Sequence, residues 1–147
     1  LILVAMAMVA SYMITIADVP DQIGAWLEPF AGSPGMLVAA MVLVAFLLGM
    51  VLDFIPIILI LTPVFMPIIH QAGVDPVYFG VVFIMTAAIG MITPPVGVVL
   101  NVIASIGKVS VERAIRGVLP FLVAETMIVV LLLLFPAFVT VPAGWWR

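Results

Sequence analysis

The stretch Gly90-Met91-Ile92-Thr93-Pro94-Pro95-Val96-Gly97 places two adjacent prolines between two glycines, in an apolar segment long enough to cross a bilayer. A helix cannot run through it intact, because Pro94 and Pro95 have no amide hydrogen for the carbonyls of Gly90 and Met91, four residues earlier. In hydrocarbon, such carbonyls are tolerated only where protein or a water-filled cavity satisfies them. The stretch therefore predicts a broken membrane helix whose freed carbonyls face a cavity, as in the cation sites of membrane carriers. A proline kink that serves only packing is the alternative.

The composition indicates a membrane protein. Hydrophobic residues make up 67% of the 147 residues and charged residues 7%, whereas a soluble domain carries about 25% charge. The small formal net charge of -3 argues against nucleic-acid binding, and the lack of cysteine excludes disulfides, thiolate metal sites and thiol catalysis. The sequence contains no Ser-His-Asp, HExxH, P-loop or paired-carboxylate arrangement. We therefore expect a protein that is not an enzyme and needs no cofactor.

Polar interruptions divide the chain into apolar segments. Only a few residues around Asp53, without a charged loop, separate two apolar arms, which favours a re-entrant helical hairpin over two full spans. The fold class that follows is all-α integral membrane. We predict a spanning helix over 1–17, a helical hairpin over 34–72, a broken spanning helix over 76–106, an interfacial helix over 108–117 and a spanning helix over 118–141.

The charged segment before the last span is typical of a short helix that lies flat on the membrane surface. Ser110 suits its N-cap and Gly117 its C-terminal end. Lys108, Arg113 and Arg116 are concentrated here, whereas the other connections carry acids without lysine or arginine. The positive-inside rule therefore places this segment in the cytoplasm.

Two polar residues at membrane depth are the main candidates for a cation site. Asp53 suits the N-cap of the helix that follows, with Pro56 in its first turn. Because acids inside a membrane are costly and usually face a cavity, its carboxylate can also serve a cation site. The hydroxyl of Thr93 and the carbonyls of Gly90 and Met91 could ligate a hard cation through oxygen.

The second half of the broken helix offers groups of the opposite polarity. A half-helix that starts near Val96 directs its N-terminal amides and partial positive charge at the break, which suits a carboxylate substrate. Asn101 lies about one turn after Gly97, so its amide can point back toward the break.

Other polar residues of the apolar segments have simpler explanations. Thr62 and Thr86 are expected to bond their own helix carbonyls, and His70 is expected to be a turn residue at a helix end. Glu125 lies inside the last span without an obvious local cation. We expect it to pair with a residue outside this chain or to extend to the interface.

An ordered set of motifs runs through nearly the whole chain: Gly49-Met-Val-Leu-Asp53, Ile60-Leu-Thr-Pro63, Pro67, Gly73-Val-Asp-Pro76, Phe79-Gly80, Gly90 to Gly97, Glu112-Arg113 and Pro120-Phe121-Leu122. With these motifs the chain resembles the large membrane subunit of TRAP (tripartite ATP-independent periplasmic) transporters. The family is built of two inverted repeats of an ion-transporter-type fold, each a hairpin followed by a broken helix. The chain resembles the second repeat, so we expect it to be the C-terminal part of a larger permease.

The resemblance implies a function. The family imports small organic acids, such as C4-dicarboxylates or sialic acids, by sodium-coupled secondary transport across the bacterial inner membrane. A periplasmic binding protein delivers the substrate and a small membrane subunit accompanies the large one. By analogy, Asp53 lies at the hairpin tip and Gly90, Met91, Thr93, Pro94, Pro95, Gly97 and Asn101 lie at the unwound part of the broken helix, where sodium and substrate would meet.

Two other functions remain open from the residues. One is a dicarboxylate or citrate carrier that works without a binding protein. The other is a membrane assembly subunit that transports nothing, in which the Thr93-Pro94-Pro95 break only kinks a helix. Such a subunit would keep its role after the prolines are replaced, whereas a transporter would lose uptake.

Overall fold

The computed structural model describes residues 32–94 and 97–145, with isolated positions before residue 32. The elements it assigns there are all helices: α1 (Pro34–Gly49), α2 (Phe54–Gln71), α3 (Pro76–Ile92), α4 (Val98–Gly107), α5 (Val111–Leu134) and α6 (Ala137–Gly144). This agrees with the expected all-α class. Most of the spanning helix predicted over 1–17 lies outside the described residues, as does Pro95.

α1 and α2 are joined by the short connection 50–53. Ser33 caps the start of α1 by accepting a hydrogen bond from the amide of Met36 (3.4 Å), and Asp53 is the N-cap of α2, as predicted. So short a connection makes two packed helices antiparallel neighbours. At 1.5 Å per residue, their 16 and 18 residues extend about 24 Å and 27 Å, slightly less than a hydrocarbon core of about 30 Å.

α3 is the central helix, and it packs against α1, α2, α4, α5 and α6. Its contact with α2 is aromatic. The ring of Phe65 packs in a T-shaped arrangement against Phe79 and Phe83, at centroid distances of 5.8 Å and 6.0 Å. Phe79 and Phe83 stack one turn apart, at 5.7 Å. Phe65 is fully buried, so this cluster fixes α2 against the first half of α3.

One prediction about the C-terminal region is wrong. Ser110 is a helix N-cap, as expected, and accepts a hydrogen bond from the amide of Arg113 (3.4 Å). However, Gly117 does not end the helix, and α5 continues through Gly117 and Pro120 to Leu134 as one element of 24 residues. Glycine inside a helix costs only about 1 kcal/mol, which the long apolar continuation outweighs. The separate elements predicted over 108–117 and 118–141 are therefore one helix, followed by α6.

A buried hydrogen bond ties the end of α5 to the start of α3. The hydroxyl of Tyr78 donates to the carbonyl of Leu132 (3.1 Å). In an uninterrupted helix that carbonyl would accept from the amide of residue 136, but Pro136 has none. Tyr78 therefore satisfies a carbonyl that the proline leaves without its helical partner. This hydrogen bond places the first turn of α3 beside the last turn of α5.

Among the helices that the structure describes, α2 and α5 are long and apolar enough to cross a membrane, by length and composition. The apolar surface of α5 is largely exposed in this chain, and only Val129 and Leu132 are buried. Four of its exposed large side chains form one stripe along the helix: Leu119, Val123, Met127 and Leu134. This is the surface expected of a helix in contact with lipid or with further membrane segments.

Candidate functional site

The helix breaks within the proline stretch. α3 ends at Ile92, Thr93 adopts an extended conformation, and α4 starts after Gly97. Gly97 has a φ of 46°, in the left-handed region, which glycine adopts at no steric cost. A Cβ at this position would lie 3.1 Å from the side chain of Leu100 and 3.4 Å from the carbonyl oxygen of Thr93. The backbone of Gly97 therefore packs closely against both sides of the break.

One detail of the expected break needs correction. The amide of Thr93 donates to the carbonyl of Gly90 (3.0 Å), so a tightened last turn replaces the hydrogen bond that Pro94 cannot make. The Gly90 carbonyl is therefore not left without a partner. The Met91 carbonyl would take its helical hydrogen bond from residue 95, which is a proline.

Thr93 presents its hydroxyl in a defined orientation. The hydroxyl donates to the carbonyl of Ile89 one turn earlier (2.6 Å), and the side chain is partly buried. A hydroxyl has one hydrogen and two lone pairs. Because the hydrogen is committed to the helix, the lone pairs of Oγ1 remain as its acceptor sites. A cation requires this polarity from an oxygen ligand.

Two glycines bring the hairpin and the broken helix into backbone contact just before the break. A Cβ on Gly90 would lie 2.8 Å from the Cα of Gly49 and 2.8 Å from the carbonyl oxygen of Phe46. A Cβ on Gly49 would in turn lie 3.0 Å from the carbonyl oxygen of Ala87. Small residues at such crossings are how membrane helices approach closely. Neither stretch of sequence contains a local signal for this contact.

The Gly49–Gly90 contact determines where Asp53 can lie. Asp53 follows Gly49 by four residues, so their Cα atoms are at most about 14 Å apart. The hairpin tip is therefore held at the end of α3 that carries the break. The Asp53 carboxylate is exposed and accepts a hydrogen bond from the amide of Phe54 (2.8 Å).

The start of α4 presents backbone amides at the break. Gly97 provides no side-chain cap, so the first-turn amides before Asn101 have no capping oxygen from it. The amide of Asn101 itself donates to the carbonyl of Gly97 (3.1 Å), and its side chain lies on the exposed face of α4. The backbone carbonyl of Asn101 accepts a hydrogen bond from the hydroxyl of Ser105 (2.8 Å).

Comparison with known proteins identifies the family. Residues 1–138 match the family model described as "Tripartite ATP-independent periplasmic transporter, DctM component". The chain belongs to the TRAP transporter large permease family. It is 44% identical over 97% of its length to a TRAP transporter large permease protein of Haemophilus influenzae, and 42% identical over the same share to the 2,3-diketo-L-gulonate TRAP transporter large permease protein of Escherichia coli. It is also 31% identical over 92% to the C4-dicarboxylate TRAP transporter large permease protein of Pseudomonas aeruginosa.

This TRAP permease chain spans about a third of the length of those relatives: the matches cover 34%, 34% and 32% of them. The helical hairpin and the broken helix described above lie within that third.

A cleft of about 250 Å³ between α1, α3 and α5 is a separate feature of the TRAP permease chain. Its two hydroxyl groups are already used: Thr86 donates to the carbonyl of Val82 (2.8 Å), as predicted, and Thr126 donates to that of Leu122 (2.7 Å). The remaining lining is apolar. Without a free polar group the cleft is unsuited to an organic acid, whose carboxylate needs a donor or a charge.

The described part of the TRAP permease chain contains no group of three His, Cys, Asp or Glu side chains that could hold a metal ion. The oxygens that the described residues of the break itself offer to a cation are the Thr93 hydroxyl and backbone carbonyls. Hard monovalent cations in membrane carriers are coordinated in this way, by the unwound backbone of a broken helix.

Proposed function

We propose that this chain forms part of the membrane subunit of a secondary transporter that imports small organic acids together with sodium. The observation that carries the proposal is the contact between Gly49 and Gly90, which holds the hairpin tip against the end of the broken helix. An interrupted helix is common in membrane proteins and can be only a kink. Here the end of α1 that leads into the hairpin tip contacts the last turn of α3 before the interruption, and this supports a shared site.

Sodium is the proposed coupling ion, and its proposed ligands are the Thr93 hydroxyl and the carbonyls of Gly90 and Met91. The hydroxyl is oriented with its hydrogen toward Ile89, which leaves lone pairs for a cation. Gly90 already accepts one hydrogen bond, and a carbonyl has a second lone pair. Asp53 adds a negative charge at the hairpin tip.

The organic acid is the proposed substrate because the other side of the break has the opposite polarity. The amides at the start of α4 and the partial positive charge of that helix end favour a carboxylate. Asn101 is the proposed side-chain contact on the same helix. The relatives support this class of substrate, since the names of two of them include 2,3-diketo-L-gulonate and C4-dicarboxylate.

The proposed partners follow from the family. They are a periplasmic binding protein that delivers the acid and a small membrane subunit, in the inner membrane of a bacterium. The hairpin is proposed to be re-entrant, and the chain to be one of two inverted repeats, with Pro94 and Pro95 maintaining the unwound segment. The length of the relatives leaves room for a second repeat.

The proposal is tested by sodium-dependent uptake of an organic acid, measured with the full-length permease and its partners. Thr93→Val removes one oxygen ligand and keeps the side-chain shape, whereas Thr93→Ser keeps the hydroxyl. Since a hydrogen bond or ligand to a charged group contributes about 1.5–3 kcal/mol, we expect Thr93→Val to raise the half-saturating sodium concentration roughly tenfold or more. Thr93→Ser should stay near the wild type.

Thr86→Val is the matched control, because Thr86 lies on the same helix and makes the same kind of hydrogen bond to its own helix. An unchanged sodium dependence in Thr93→Val would remove Thr93 from the ion site. Asp53→Asn separates capping from charge, since asparagine caps helices as well as aspartate does. Uptake by Asp53→Asn with unaltered sodium dependence would leave Asp53 a structural cap only.

A further inference from the structure

Glu125 of α5 is an acid within the apolar part of that helix, beyond its charged first turns. The hydrogen bond between Tyr78 and Leu132 sets the register between α3 and α5. Thr126, next to Glu125, lines the same cleft as Thr86 and Ile89 from the middle and later part of α3. Glu125 therefore lies level with the interior of α3, well away from either end of the 24-residue helix.

The direction of Glu125 is fixed by helical periodicity. It lies one turn before Val129 and two turns before Leu132, which are the two buried residues of α5. Because successive residues turn by about 100°, Glu125 is on the opposite side from the exposed stripe that includes Val123 and Met127. Its side chain thus belongs to the side of α5 that packs against protein.

The side chain of Glu125 is nevertheless exposed, and its carboxylate makes no hydrogen bond or ion pair with any described residue. Its neighbours on this side, one turn earlier and one turn later, are Phe121 and Ile128, and both are exposed. These three residues, named here the Glu125 strip, therefore form an uncovered surface beside the packed face of α5. A carboxylate at this depth is costly in lipid unless it is paired.

We propose that the Glu125 strip is covered by a membrane helix from the remainder of the same permease, and that this helix carries a lysine or arginine at the depth of Glu125. The charge of Glu125 defines the chemistry of the partner, since a buried carboxylate requires a cation or several donors. The relatives are about three times as long as this chain, so most of the permease lies outside it and can provide such a helix.

Whether the Tm falls or rises when Glu125 is replaced by an apolar residue tests the pairing. Glu125→Leu in the full-length permease leaves the partner cation unpaired, and we expect it to lower the Tm by roughly 5 °C or more. Glu125→Gln should lower it less, because the amide still accepts hydrogen bonds. Met127→Leu on the opposite stripe is the control and should leave the Tm near that of the wild type. If Glu125 faced lipid, Glu125→Leu would instead raise the Tm, and the proposal would be wrong.

A photo-crosslinker identifies the helix. With benzoylphenylalanine in place of Ile128, we expect a crosslink to a peptide of the same polypeptide that contains a lysine or arginine within an apolar segment. Exchanging that cation and Glu125 between the two helices should then restore the Tm that either single change lowers. A crosslink only to lipid, or only to a separate subunit, would overturn the assignment. These measurements report folding and proximity, so they do not depend on which ion or acid is carried.

Discussion

The Gly90→Ala substitution tests the backbone contact on which the site depends. The added methyl group would lie 2.8 Å from both the Cα of Gly49 and the carbonyl oxygen of Phe46. Carbon atoms in contact are normally about 3.5–4.0 Å apart, so the two helices must separate by roughly 0.7–1.2 Å. Both of these atoms belong to the backbone, so no side-chain rotation can relieve the overlap.

The size of the effect follows from two opposing terms. Overpacking of this kind costs about 1–3 kcal/mol, whereas replacing glycine by alanine inside a helix gains about 0.5–1 kcal/mol. Gly80 is on the same helix, and a Cβ there would meet no atom within 4 Å. Gly80→Ala should therefore gain helix stability without any cost of overpacking. We therefore expect Gly80→Ala to be more stable than Gly90→Ala by about 1–3 kcal/mol.

The assay combines thermal unfolding of the purified full-length permease with uptake of an organic acid in proteoliposomes. A separation of about 1 Å between groups that act together can cost a hundredfold in rate, so Gly90→Ala should reduce uptake at least about tenfold. Gly49→Ala should act in the same direction, since its methyl group would lie 3.0 Å from the Ala87 carbonyl oxygen. Equal stability and equal uptake in Gly80→Ala and Gly90→Ala would refute the close contact.

Two further substitutions test local features. Tyr78→Phe leaves the Leu132 carbonyl buried without a partner and should destabilise the permease by about 1–3 kcal/mol in thermal or denaturant unfolding; no loss would mean that the carbonyl finds another donor. Gly97→Ala forces a side chain into the left-handed region and should cost about 1–2 kcal/mol and reduce uptake, whereas Gly97→Asn should cost less, because asparagine tolerates that conformation. Similar behaviour of the two Gly97 variants would indicate that φ at this position is not constrained.

Local features of the fold could be predicted from the sequence because their causes are local. Two adjacent prolines end α3 wherever it packs, and the acid at position 53 before an apolar run with an early proline is an N-cap. The end of the predicted surface helix could not be placed in this way. Gly117 is a weak stop whose cost is small, and neither it nor Pro120 outweighs the continuous apolar run.

The missed features are contacts between residues far apart in sequence. Gly49 and Gly90 each look like ordinary membrane glycines, and nothing in either segment specifies the other. The sequence partly indicates the hydrogen bond from Tyr78 to Leu132. Pro136 lies four residues after Leu132, so the Leu132 carbonyl needs a donor from elsewhere. Which donor supplies the bond depends on how α3 crosses α5, and a single sequence does not contain that information.

The tyrosine bond has a mechanical consequence for the C-terminus of the chain. A proline at a helix end removes one helical hydrogen bond and leaves a carbonyl that another donor must satisfy. Here the phenol of Tyr78 donates to that carbonyl, at the corner between α5 and α6. The first turn of α3 is therefore attached to the point where the polypeptide leaves α5, and α3 also packs against α6 beyond that point, so one helix supports both sides of the corner.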